Sequence, residues 1–89
     1  MKERYLEVTF RKGRAVAAYL YLPRSAGVTV ARTQEGAPGI LVDYDNGGHP
    51  VGIELTAPEQ IKLDMINQVL RNIGAQSIEP AELAPLKAA

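Results

Sequence analysis

The residues most able to do chemistry lie close together in mid-chain: Asp43, Asp45, His49 and Glu54. Asp43, Asp45, Gly48 and Glu54 fall at positions one, three, six and twelve of a calcium-loop template, where a hard cation would collect oxygen ligands. The match breaks at position five, which is Gly47 and offers no side-chain oxygen, and its flanks alternate like strands rather than helices. Asp43, Asp45 and Glu54 therefore stand as metal candidates only through their shared acidic hairpin, and no metal or other cofactor is expected. Asp43 and Glu54 are also the one conceivable acid–base pair. In the hairpin register derived below, Glu54 sits opposite Gly39, which puts the two carboxylates about 13 Å apart at ~3.3 Å per strand residue. That is beyond the ~5 to 9.5 Å over which paired carboxylates cleave glycosides. His49 is the single histidine and there is no cysteine, so neither a histidine pair, a thiolate site nor a nucleophilic triad can be assembled. His49 is expected to flank a turn and stack beside Tyr44. No catalytic set is found, and a non-enzymatic protein is expected.

The segment that must hold these acids is Gly39 to Leu55, GILVDYDNGGHPVGIEL, two short apolar strands around a glycine-rich turn. A two-residue Asn46-Gly47 turn places Pro50 where its missing N–H would be felt. A three-residue loop sets Val42 opposite Gly52 and Ile40 opposite Glu54, mixing apolar and polar positions. A four-residue loop ending on a left-handed Gly48 pairs Tyr44 with His49, Val42 with Val51 and Ile40 with Ile53. This last register is the one expected. It gives a core face of Ile40, Val42, Tyr44, Val51, Ile53 and Leu55, and a second face of Gly39, Leu41, Asp43, Pro50, Gly52 and Glu54.

Upstream, Arg4 to Phe10 alternates as a half-buried strand, Arg11-Lys12-Gly13-Arg14 makes a basic turn, and Ala15 to Leu22 is a strand apolar on both faces. Pro23 to Gly27 breaks the pattern. Val28 to Ala31 is expected as a short third strand, and Arg32 to Pro38 as a polar connection into the hairpin. All connections are too short for parallel crossovers, so the sheet should be largely antiparallel. After Leu55 the apolar period lengthens to that of a helix: Ile61, Met65, Val69 and Ile73 recur, with Ile66 and Leu70 beside them. Thr56-Ala57-Pro58-Glu59 has the form of a capping box, and Gly74 that of a C-terminal cap. Ser77 to Leu83 suggests a short helical turn tucking Ile78 and Leu83 under the sheet edge, with Ala84 to Ala89 as a frayed tail. The fold class is α+β: a small, mainly antiparallel sheet of about five strands with one C-terminal helix packed on one face. A single domain is expected over 1–89, divided into sheet (1–55), helix (56–74) and a short turn with tail (75–89).

The chain has 89 residues with ten basic and ten acidic side chains, a formal net charge of zero. That balance argues against a general nucleic-acid or anionic-membrane binder. The N-terminus lacks an apolar stretch of signal-peptide type and no run approaches a membrane span, so a cytoplasmic protein is expected. Arg11, Lys12 and Arg14 could touch a phosphate or an acidic partner, but a solvated turn that discourages edge aggregation explains them.

Pro38-Gly39-Ile40-Leu41-Val42-Asp43-Tyr44-Asp45, then Gly48 and Val51-Gly52-Ile53-Glu54-Leu55, resemble the hairpin of the uncharacterised family called domain of unknown function 2283. Val8 to Leu22 resembles that family's first two strands more loosely. The turn before the second strand, acidic in the family, is basic here from Phe10 to Ala15. The resemblance implies a small sheet with a helix and, as for some members, a role as an antitoxin-like partner of a small toxin. It supplies no catalytic residue.

One helix covers one face of a sheet, so the face of the second strand carrying Ala15, Ala17, Tyr19 and Tyr21 must be exposed or covered by something else. Tyrosine, with a large apolar ring and a polar end, is enriched at interfaces. These four residues are the interface candidates. The sequence thus points to a protein-interaction module, a homodimer or the partner of another small protein, while shielding by the C-terminal segment would leave the tyrosines without such a role. The alternative is a small-ligand or divalent-metal binder built on Asp43, Asp45 and Glu54.

Overall fold

The computed structural model describes residues 4–24 and 27–87. Five strands, β1 (Tyr5–Arg11), β2 (Arg14–Tyr21), β3 (Arg32–Ala37), β4 (Ile40–Tyr44) and β5 (Pro50–Leu55), form one sheet in the order β1-β2-β5-β4-β3. Every neighbouring pair is antiparallel. A 3-10 turn (Pro58–Gln60), the helix α1 (Leu63–Asn72) and a 3-10 segment (Pro80–Lys87) follow. The sheet-plus-helix class is as the alternation and the period change indicate, but local expectations are corrected at the third strand, the helix start, the hairpin loop and the C-terminal tail.

The third strand is Arg32–Ala37, not Val28 to Ala31. Pro38-Gly39 reverses the chain within two residues, proline supplying the first turn angle and Gly39 (φ 80°) the left-handed second. The polar residues just before it are thereby laid against β4, with Ala37 opposite Ile40 and Gln34 opposite Val42. An edge strand can be polar because only one of its sides pairs. Residues 25 and 26 of the expected loop lie outside the described residues.

The helix is shorter than its apolar period suggests, because the chain from Pro58 to Asn72 is interrupted. After the 3-10 turn, Ile61 and Lys62 are extended, and α1 begins at Leu63 without a side-chain cap. The capping box does not form: the Thr56 hydroxyl donates to the Gly39 carbonyl at 3.4 Å instead. The other end behaves as expected. Gly74 N–H donates to Arg71 O and Ala75 N–H to Leu70 O, at 3.1 and 2.8 Å, the paired bonds of a Schellman motif.

The central hairpin closes with the three-residue loop that the apolar pattern disfavours. Asp45 N–H donates to His49 O at 3.0 Å and Gly48 N–H to Asp45 O at 3.1 Å, with Gly48 left-handed at φ 81°. A bulge resolves the conflict. Tyr44 faces Pro50, Val51 is the extra residue, and from there Asp43 faces Gly52, Val42 faces Ile53 and Ile40 faces Leu55. The register is thus two residues from the expected one, and since the strand period is two, the side chains from Val51 to Leu55 keep their expected faces, while Pro50, opposite Tyr44, moves to the core face.

On that face, Ala18, Leu20, Leu22, Ile40, Val42, Ile53 and Leu55 meet Ile66, Val69, Leu70 and Ile78 in one buried cluster, with Leu6, Val8, Leu83 and Leu86 packed against it. Gly36 lets α1 come close, since a Cβ there would stand 2.9 Å from Val69 Cγ1. The tail is not frayed through Lys87. Asn67 exchanges two bonds with the Ile78 backbone, at 2.8 and 3.2 Å, and fixes the exit from α1. Residues 88 and 89 of the expected tail lie outside the described residues.

Arg4 then ties the C-terminal segment to the start of β1. Its guanidinium donates to Glu82 at 2.9 and 3.0 Å, to Ser77 O at 2.5 Å and to Gln76 O. These bonds, with Glu79 N–H also donating, hold the Glu82 carboxyl below the ordinary glutamate value, although its partial burial works the other way. A carboxyl depressed in the folded state adds stability above its unfolded pKa and loses it as pH falls through the folded value. The chain should therefore be more stable than Glu82→Gln at neutral pH by a small margin, about 1 kcal/mol or less for a pair still reached by solvent, read as a higher melting temperature. The two curves should converge in acid; a gap constant with pH would exclude the linkage.

Candidate functional site

The helical elements lie on one side of the sheet with Tyr44, and the other side carries Tyr5, Tyr19 and Tyr21. Tyr5 stacks on Tyr21 with ring centroids 4.5 Å apart and planes 17° apart, and Tyr19 meets Tyr21 edge-on at 4.8 Å. Tyr21 donates to Glu7 at 3.2 Å, and the Arg24 guanidinium lies 5.1 Å from the Tyr21 ring centre. Tyr19 is the anchor of the row. It leans across β5 over Gly52, where a Cβ would come within 2.0 Å of its oxygen, and donates to Asp43 Oδ2 at 2.7 Å. Asp43 Oδ1 accepts from Thr33 Oγ1 at 2.5 Å, so strands β2, β4 and β3 are linked across the face.

Burial, followed by the Asp43 hydrogen bond and charge, pushes the Tyr19 hydroxyl far above the ordinary tyrosine range. Tyr21 is raised as well, first by desolvation and then by the Glu7 carboxylate. Both are held protonated at neutral pH, suited to donating hydrogen bonds and unsuited to acting as nucleophiles.

The interface candidates are only partly brought together. Ala17, Tyr19 and Tyr21 share this face, but Ala15 does not. A bulge at Val16 sets Ala15 opposite Phe10 and Ala17 opposite Thr9. Ala15 is buried at a cleft of about 550 Å³ lined by Pro58, Ile61, Leu63, Pro80 and Leu83, on the helical side. Tyr5 replaces it in the tyrosine row. Its alternation with Glu7 and Thr9 opposite Leu6 and Val8 was the available signal. The C-terminal segment does not shield the row, because Leu83 and Leu86 pack against the buried cluster. Instead Val28 and Val30, whose alternation mimics a strand, run beside it and line a shallow groove with Glu7, Tyr19, Tyr21, Arg24 and Asp43.

Asp43 and Glu54 stand nearer than expected, while Asp45 turns away from both. Glu54 lies opposite Leu41 rather than Gly39, so it is a diagonal neighbour of Asp43 at about 7–8 Å, not 13 Å. Asp43 is nonetheless engaged by Tyr19 and Thr33. Asp45 turns into its own loop, where Oδ1 accepts the Gly47 and His49 N–H groups, each at 2.9 Å. The His49 bond first, then Gly47 and the His49 side chain, lower its carboxyl below the ordinary value. His49 lies 3.2 Å from Asp45, and Pro50 rather than His49 stands opposite Tyr44, whose ring carries Arg32 at 4.1 Å. Among the described residues no three His, Cys, Asp or Glu side chains form a group able to hold a metal ion. The basic turn is partly spent, since Arg14 meets Glu59 at 3.2 Å. Among the described residues no helix is long and apolar enough to cross a membrane.

The segment from the tyrosines of β2 through the Pro38-Gly39 turn and the bulged hairpin is what relates this chain to other proteins. Residues 17–57 match the family described as Protein of unknown function (DUF2283). It is the family whose hairpin the sequence resembles. The DUF2283 match spans just under half of the chain, and Tyr19, Asp43 and Gly52 all lie within it, while β1 and α1 lie outside. No curated protein and no solved structure matches the chain.

Proposed function

We propose that this chain is a small, non-enzymatic protein-interaction module of the cytoplasm, and that its tyrosine face is the docking surface for a second copy or for another small protein, as an antitoxin-like component holds a small toxin. One observation carries the reading: among the described residues the helical layer is confined to the opposite face, which leaves Tyr5, Tyr19 and Tyr21 as a connected aromatic row whose one cover there is the margin formed by Val28 and Val30. A rigid aromatic row fixed by Asp43 and Glu7 loses little side-chain entropy on docking, a property of tyrosine-rich contact surfaces. The neutral net charge leaves no repulsion to oppose self-association.

Light scattering across a concentration series tests the reading. The wild-type chain is expected to exceed the 9.6 kDa of one copy as concentration rises. Tyr19→Glu combined with Tyr21→Glu should return it to that mass. Because Tyr19 is bonded to Asp43, the double variant could unfold, so Tyr5→Glu on the exposed end of the row serves as the milder control, with circular dichroism reporting the fold. A wild-type mass of one copy at all concentrations would reject self-association.

A further inference from the structure

We infer that a second copy of this chain pairs antiparallel along the free edge of β1, with a twofold axis at Val8, so that two sheets become one and their tyrosine faces join. The inference deepens the self-association reading above and rests on it.

The two edges of the sheet differ. The β3 edge is polar, exposed along nearly its whole length and bulged at Gly36, devices that blunt an edge. The β1 edge is less blunted, although Glu7 and Arg11 are charged and the C-terminal 3-10 segment packs on its helical side. It runs for seven residues, its only irregularity against β2 is an extra residue on the β2 side, and among the described residues no other backbone group bonds to it. It is also where apolar surface is left over. Among the described residues the exposed large hydrophobics are Tyr5 at 49%, Phe10 at 36%, Val16 at 42% and Val30 at 48%. The first two lie on β1, and Val16 is the adjacent bulge.

Register follows from parity and charge. Residues opposed in an antiparallel pair share a face, so a twofold axis must pass through a residue rather than between two. An axis at Glu7 opposes two like charges. One at Leu6 brings in Arg4, already committed to Glu82, and one at Thr9 runs Leu6 onto Lys12 in the turn. The axis at Val8 pairs the whole strand. It sets Leu6 against Phe10 on the helical side, and on the other side Glu7 against Thr9 and the Tyr5 ring against the Arg11 guanidinium, a cation–π geometry.

The test uses the full chain over micromolar to near-millimolar concentration, the range suited to an interface smaller than the standard size. Thr9→Glu opposes carboxylates at two symmetric positions and should weaken association about tenfold. Adding Glu7→Lys should restore it. Val8→Cys, in a chain that otherwise has no cysteine, should cross-link to its own copy with a short thiol reagent. Failure of the rescue, or of the cross-link, overturns the register. If Thr9→Glu associates like the parent while Tyr19→Glu with Tyr21→Glu does not, the edge is wrong and the tyrosine-face reading stands. A single-copy mass for the parent at every concentration overturns both.

Discussion

Val69→Asp should abolish the cooperative thermal transition. Val69 is 2% exposed on α1 and lies against Val42 and the backbone of Gly36, with Ile66 and Leu70 on the same helix face. A carboxylate there has no partner, and the close approach at Gly36 leaves no room to turn it outward. An unpaired polar group buried in this way costs several kcal/mol, comparable to the ~5–15 kcal/mol that holds a small domain together. Gln68→Asp, one residue earlier and exposed, is the control for charge and helix propensity, and should melt within about 0.5 kcal/mol of the parent. Loss of the far-ultraviolet signal in Val69→Asp alone is the expected result. A parental melt in Val69→Asp would mean that the core does not depend on α1.

Val69 belongs to the part of the fold that periodicity makes legible. Leu6, Val8, Leu20, Val42 and Ile53 alternate, Ile66, Val69 and Leu70 recur at helical spacing, and the burial follows both patterns. Periodicity misled where a bulge or a tight turn reset it. Val51 is inserted with only Pro50 changing face, so the rest of the face assignment survived a register error of two residues. Val16 is inserted too, and there the cost was Ala15, which the bulge moves to the helical side. Val28 and Val30 alternate as a strand would but border the tyrosine groove. The polar strand β3 was visible only in the Pro38-Gly39 turn that follows it. The Arg4 clamp on Glu82 spans nearly the whole chain, and no local pattern encodes it. Of the site, the tyrosines were legible as an uncovered face, whereas the Tyr19–Asp43–Thr33 linkage depends on the register and could not be read without it.

That linkage yields the second large effect, in Gly52→Ala. A Cβ on Gly52 would stand 2.0 Å from the Tyr19 oxygen and 2.3 Å from its Cζ. The backbone of β5 is pinned on both sides, by Asp43 on β4 and by Tyr21 on β2, so the ring must move. Swinging it off the strand breaks the 2.7 Å bond to Asp43 and disturbs the edge contact with Tyr21. Loss of a hydrogen bond to a charged group, together with local overpacking, should cost about 2–4 kcal/mol, large for a single methyl group. Alkaline titration supplies a second readout. Tyr19 is protonated well above the ordinary tyrosine value when folded, so it adds stability that is present below the unfolded pKa and lost as pH rises through the folded one. In Gly52→Ala the displaced hydroxyl should ionise nearer the ordinary value, and one of the four tyrosines should appear earlier in the ultraviolet titration. The alkaline loss of stability should shrink with it. A variant that melts and titrates like the parent would show that Tyr19 does not rest on Gly52, and the row would then lack the anchor that fixes its geometry for docking.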